Sequence, residues 1–343
     1  MDAKQAFRAI KQGNVSPIYV CYGTESYIMN EFIERLMEQL VEPEHREMAV
    51  VRFDTAETPL DVIIEEAETL PFLVPSKIIM VRDSVLFAAG KESNKVEHRP
   101  EKLLAYMGQP SETTVLVFVV PHEKLDERKK LVKTAKGNDS VISFSPLQSE
   151  ELLQWLLKRA SNQGRSMDKQ TAEELLRRVG TDMHALAAET DKLCLHAGTG
   201  GSVTLESVRS LVPMATEQNV FKLTEELAAL RTAEAITLYY DLLKQREEPI
   251  KLMALLVRQF RNMLYVKELG SQGYSPQQMA SQLGLHPYAV KITGEQARKF
   301  SQERLASMLS ELADLDYAMK TGRVEKSLGL ELFLLRTGSQ GAS

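Results

Sequence analysis

Three sets of residues in this 343-residue chain have types and spacings that could do chemistry. The first follows an apolar run, where Val20-Cys21-Tyr22 leads into Gly23-Thr24-Glu25-Ser26-Tyr27-Ile28, the place where a nucleotide-binding domain puts its phosphate loop. Such a loop needs a second glycine, so that backbone amides can curl around the anion, and a Lys-Ser/Thr pair for the outer phosphates and magnesium. Neither is present, and Glu25 puts negative charge where phosphate would lie. The pair Gly90-Lys91 lacks the upstream glycine and is followed by Glu92, and Val81-Arg82-Asp83 offers no acidic pair for metal-water chemistry. The second set, Ser166-Met167-Asp168-Lys169 with Lys320-Thr321-Gly322, matches two pieces of a penicillin-binding nucleophile set whose Ser-Asp-Asn piece is missing. The third is six scattered histidines and two isolated cysteines, Cys21 and Cys194, which make neither a zinc site nor a disulfide framework and read as core thiols. The expectation is a chain with no catalytic residue, cofactor or metal of its own.

A different kind of signal lies in Thr69-Leu70-Pro71-Phe72-Leu73-Val74-Pro75-Ser76, which gathers four large apolar side chains around two prolines. Proline removes a donor and fixes φ, so this stretch neither extends a helix nor pairs fully in a sheet, and it presents Leu70, Phe72 and Leu73 from a stiff turn. Two readings are open: an apolar knob for a partner's pocket, or a lid on the chain's own core.

The elements that would hold these residues divide near Pro146. Before it, short β-rich runs at 17–22, 49–53, 77–82, 114–120 and 141–144 alternate with helical spacing at 25–41, 59–70, 100–107 and 124–136. Several runs are apolar throughout, as strands covered on both faces are, so a parallel sheet with helices on both sides is expected. After it no strand-like run is found, and three-to-four-residue apolar spacing continues to Leu335. Ser149, Asp168 and Asp182 read as helix caps, Gly198–Gly201 as a break and Pro213 as a linker. The division expected is 1–145 α/β, 146–212 a small helical bundle and 213–343 a second all-α segment.

Net charge of −5 argues against a surface built throughout for nucleic acid. One local exception runs from Lys251 to Arg304, where eight Lys/Arg face three Glu, and within it Tyr288, Lys291, Arg298 and Lys299 are the candidate DNA contacts. Ala280, Gly284 and Val290 have the spacing of a helix-turn-helix, so a DNA-binding regulator is the alternative, although Pro287 inside the second helix favours two plainly packed helices. The longest apolar run, 115–120, is far too short for a bilayer, and a cytoplasmic location is expected.

Taken in order, several stretches resemble the delta-subunit family of bacterial clamp loaders over nearly the full length. They are Tyr19 to Ile28 with its Gly-x-Glu turn, Thr69 to Leu73 with Lys77 to Val81, and Glu189-Thr190-Asp191-Lys192-Leu193. Farther on come Val220 to Leu223 through Glu248-Pro249-Ile250, Arg258 to Arg261, His286 to Lys291 and Asp316 to Gly322. The resemblance implies an AAA+-like α/β domain without ATPase activity, a helical lid and a helical collar. It implies a non-catalytic subunit of the DNA polymerase III holoenzyme that binds the sliding clamp through Leu70, Pro71, Phe72 and Leu73. Its implied partners are tau/gamma-type and delta-prime-type loader subunits at the collar, and primer-template DNA within the complex.

Overall fold

The computed structural model describes residues 1–83, 86–88 and 96–339. Gly90, Lys91 and Glu92 lie outside the described residues. The chain forms two compact units, Met1–Pro146 and Leu147–Ser343.

The first unit is built on β1 (Ile18–Tyr22), β2 (Val50–Asp54), β3 (Lys77–Arg82), β4 (Thr114–Val120) and β5 (Val141–Ser143). All pairings are parallel, in the order β2-β3-β4-β1-β5. Its helices are α1 (Ala3–Lys11), α2 (Ser26–Leu40), the single-turn α3 (Arg46–Ala49), α4 (Leu60–Glu68), α5 (Pro100–Gly108) and α6 (Lys130–Gly137). Parallel pairing demands crossovers, and strand alternation then sends side chains to two covered faces. Ile18, Val20, Ile79, Val81, Leu116, Phe118 and Val120 meet Leu60, Ile63, Ile64, Leu103, Tyr106, Leu131 and Val132 from α4, α5 and α6. On the other face Phe32 of α2 takes Phe7, Tyr19 and Phe144 at ring-centroid distances of 5.5–5.6 Å, the first two edge-on. Cys21 and Cys194 are both buried, as core thiols are, and burial raises the pKa of each.

Two departures from the sequence pattern in this unit have a clear local cause. The expected helix at 124–136 begins only at Lys130, because the Asp126 carboxylate takes the Arg128 amide (3.1 Å) and its guanidinium (2.9 Å twice), closing a turn instead. Helix α1, not expected from the pattern, is fixed by a capping box between Asp2 and Gln5.

The second unit opens with α7 (Ser149–Asn162), α8 (Lys169–Val179), α9 (Met183–Ala197) and α10 (Leu205–Leu211). It also contains two strands that the sequence pattern missed, β6 (Ser166–Met167) and β7 (Ser202–Val203). At two residues each they are too short to show alternation. Gln148, not Ser149, caps α7, with the Glu151 carboxylate returning to the Gln148 amide at 3.0 Å. Seven helices follow: α11 (Thr216–Ala228), α12 (Thr232–Lys244), α13 (Pro249–Ser271), α14 (Pro276–Leu283), α15 (Pro287–Ala297), α16 (Gln302–Lys320) and α17 (Lys326–Ser339). Their core is centred on α13, where Phe260 lies edge-on to Phe300 and Phe333. Among the described residues no helix is long and apolar enough to cross a membrane.

Candidate functional site

In an open parallel sheet, ligands bind beyond the carboxyl end of a strand where neighbouring connections diverge, here at β1 between β4 and β5. The turn at that point is closed by its own chain. The Gly23 amide donates to Val120 O (3.3 Å), Glu25 to Phe144 O (3.0 Å) and Ser26 to Thr24 O (3.1 Å). The Tyr27 amide donates to the Glu25 carboxylate at 3.2 Å, so Glu25 caps α2 with the negative charge that a phosphate would bring to a helix N-terminus. Gly23 sits at φ +135°, and a Cβ there would stand 2.0 Å from the Phe144 carbonyl oxygen. Glycine in this turn permits the close approach of the Phe144 backbone.

Asp83, at the end of β3, faces inward and is fully buried. Its carboxylate accepts from the Leu86 amide (2.7 Å), the Phe87 amide (2.9 Å) and the Thr55 hydroxyl (3.2 Å). Three donors hold it as a structural anchor of the segment that follows the strand. Two of the donors are local, and the third, Thr55, is contributed from beyond β2. Among the described residues no group of three or more His, Cys, Asp or Glu is placed to hold a metal ion.

The stretch between α4 and β3 is where apolar surface meets solvent. Leu70, Phe72 and Leu73 are 81%, 77% and 71% exposed, while Val74 alone turns into the core. Of the two readings open from sequence, a lid on the chain's own core fails for these three side chains. Full burial of each would be worth ~1.5–3 kcal/mol, so three such side chains in one loop leave an unusual amount of apolar surface in water. The backbone is constrained at nearly every position: Pro71 and Pro75 fix their own φ and restrict Leu70 and Val74, and Leu73 sits at φ +60°. A leucine in that left-handed region costs on the order of 1 kcal/mol and persists only where its surroundings demand it. At the base, Lys77 is buried and its ammonium reaches the Glu66 carboxylate at 2.9 Å, the Thr69 hydroxyl at 2.5 Å and the Glu66 carbonyl oxygen.

The candidate DNA contacts are less uniform. Lys291, Arg298 and Lys299 are exposed. Tyr288 is half-buried, and burial first, then the negative charge of Glu173 on α8 and of Glu295, raises its pKa. The helix-turn-helix spacing corresponds to a tight turn at Gly284 (φ +62°), with Met279, Ala280 and Val290 packed on Val266 of α13. Pro287 stands at the first position of α15, where its missing N–H costs nothing, and not inside the helix as the sequence pattern suggested.

Two family models match the chain, "DNA polymerase III, delta subunit" over residues 19–145 and "DNA polymerase III delta subunit, C-terminal domain" over 217–337. The DNA polymerase III subunit delta of Bacillus subtilis is 38% identical over 330 residues, covering 96% of this chain and 95% of that one. The chain belongs to the DNA polymerase III delta-subunit family. A more distant relative of this family, the probable DNA polymerase III subunit delta of Aquifex aeolicus, is 20% identical over 308 residues, 87% of this chain and 85% of that one. The solved structure of the Bacillus subtilis DNA clamp loader delta protein superposes with a TM-score of 0.84 at 37% identity, covering 98% of this chain and 99% of that one.

Family membership makes this a replication protein of the clamp-loader type. Several of the resembling stretches hold elements of the second unit together. In the run 189–193, Thr190 is buried with its hydroxyl on Leu186 O, and Asp191 takes the Arg159 guanidinium on both oxygens (2.8 and 2.7 Å), tying α9 to α7. Phe221 and Gln259, from two other such stretches, meet at Gln296, whose amide nitrogen donates to Phe221 O (3.0 Å) and whose oxygen accepts from Gln259 (2.8 Å). These residues are scaffold.

Proposed function

We propose that this chain is the clamp-binding member of its loader, engaging the sliding clamp through Leu70, Pro71, Phe72 and Leu73 and favouring the clamp's open-interface conformer. The observation that carries the reading is the exposure of three large apolar side chains from one backbone-constrained loop. A ligand shifts a two-state equilibrium only by its difference in affinity for the two states. Taking a ring from roughly 1% to 99% open requires about a 10⁴-fold preference, or about 5.5 kcal/mol. That is comparable with the whole burial energy of two or three such side chains, ~1.5–3 kcal/mol each, so contacts beside the loop must discriminate open from closed clamp.

The α/β domain is taken as 1–145, the lid as 146–212 and the collar as 213–343, through which the chain joins tau/gamma-type and delta-prime-type subunits. Hydrolysis of ATP belongs to those neighbours, and the work is done in the cytoplasm at replication forks. Native mass spectrometry of this chain with its organism's sliding clamp, without nucleotide or other loader subunits, is the direct test. A complex is expected, and two separate species at micromolar concentration would defeat the proposal.

Primer-template DNA is met from the collar by Lys291, Arg298 and Lys299, with Tyr288 at the same helix. Each phosphate contact contributes a slope of about −0.9 to the dependence of log affinity on log salt. Replacing the three cations by glutamine is therefore expected to reduce the salt slope of loader binding to duplex by roughly two to three. An unchanged slope removes these residues from the interface.

A further inference from the structure

The exposed loop leaves the sheet-covering helix α4 at Glu68 and re-enters the sheet at Lys77, the first residue of β3. Among the described residues Lys77 is one of few buried charged side chains, at 3% exposure. Burying an ammonium is costly unless it is fully hydrogen-bonded. Here it is: three acceptors surround it, all from the outgoing stem of the same loop, namely the Glu66 carbonyl, the Glu66 carboxylate and the Thr69 hydroxyl. The Thr69 hydroxyl donates in turn to the Glu66 carbonyl at 2.8 Å, and the Thr69 amide closes the helix end on Glu65 O (3.2 Å) and Glu66 O (3.3 Å). The Lys77 amide is held by Thr113 O at 2.9 Å, so the cation is fixed from the sheet side as well.

A single charged group thus joins the two stems of the loop. An apolar side chain at position 77 would fill the same space at less desolvation cost, so the lysine is not needed for core packing. What it adds is a link from the start of β3 to the last turn and C-cap of α4. We infer that Lys77 is a positioning residue for clamp binding, clipping both stems so that Leu70, Phe72 and Leu73 are held in their binding arrangement before the clamp arrives. This rests on the proposed clamp-binding role of the loop. Pre-ordering raises affinity because the free chain then has less freedom to lose on docking.

The test is a double-mutant cycle on the full chain with the sliding clamp as ligand. Lys77→Met is expected to weaken clamp binding roughly tenfold, equivalent to about 1.4 kcal/mol. In a Phe72→Ala background, which keeps weaker but measurable binding, the same change is expected to cost only about twofold, since less of the loop remains to be positioned. An equal factor in both backgrounds, or unaltered affinity of Lys77→Met, overturns the inference. Should Lys77→Met melt early, Thr69→Val removes one acceptor at the exposed rim, and the same cycle then decides. If Leu70→Ala with Phe72→Ala binds as wild type, the clamp-binding reading itself has failed. If that pair loses binding while Lys77→Met does not, only the positioning role has.

Discussion

Leu70→Ala combined with Phe72→Ala is expected to abolish measurable clamp binding while thermal unfolding stays at the wild-type temperature. The two side chains are 81% and 77% exposed, so removing them takes almost nothing from the folded state. In a partner's pocket each would be worth ~1.5–3 kcal/mol, so together roughly 3–6 kcal/mol is lost, a factor on the order of 10² to 10⁴ in dissociation constant. Surface plasmon resonance with immobilised clamp and circular dichroism melting on the same preparations give the two readings. Wild-type affinity in the variant would refute the site, and a melting point several degrees lower would mean that the loop also serves its own core.

Gly23→Ala is expected to be among the most damaging single-methyl additions available in the α/β unit. The new Cβ would stand 2.0 Å from the Phe144 carbonyl oxygen and 2.6 Å from its carbon, both backbone atoms, and φ is +135°. Relieving the clash requires separating the β1–α2 turn from the chain after β5, which breaks the bonds from Glu25 to Phe144 O and from Phe144 to Tyr22 O. A strained backbone with lost hydrogen bonds costs about 3 kcal/mol or more. In a unit of this size that lowers the melting temperature by roughly 6–12 °C. Calorimetry on the full chain measures it, and an unchanged transition would show that the turn has room after all.

The α/β half of the fold was legible because its strands are buried on both faces and announce themselves as uninterrupted β-branched runs such as 114–120. The departure of the turn at 23–28 from a phosphate-loop pattern was legible too, as a missing glycine and as Glu25, whose carboxylate caps α2. Whether Leu70, Phe72 and Leu73 face water or core was not legible, since composition is identical for the two outcomes and the positive φ at Leu73 is not written in the residue types. Lys77 was hidden for a related reason. A lysine opening a strand reads as a solvated edge residue, and its partners Glu66 and Thr69 sit eleven and eight residues earlier. Asp83 was set aside for lacking an acidic neighbour, although its carboxylate organises the backbone that follows. In the helical half, periodicity finds helices well but cannot see the two-residue strands at 166–167 and 202–203.

The carboxylate of Glu25 at the head of α2 has a consequence for timing. A helix start that carries its own carboxylate repels the phosphates of a nucleotide, so nucleotide control through that turn is disfavoured electrostatically. Control over when the apolar loop is offered or withdrawn is then expected to come from residues other than this turn.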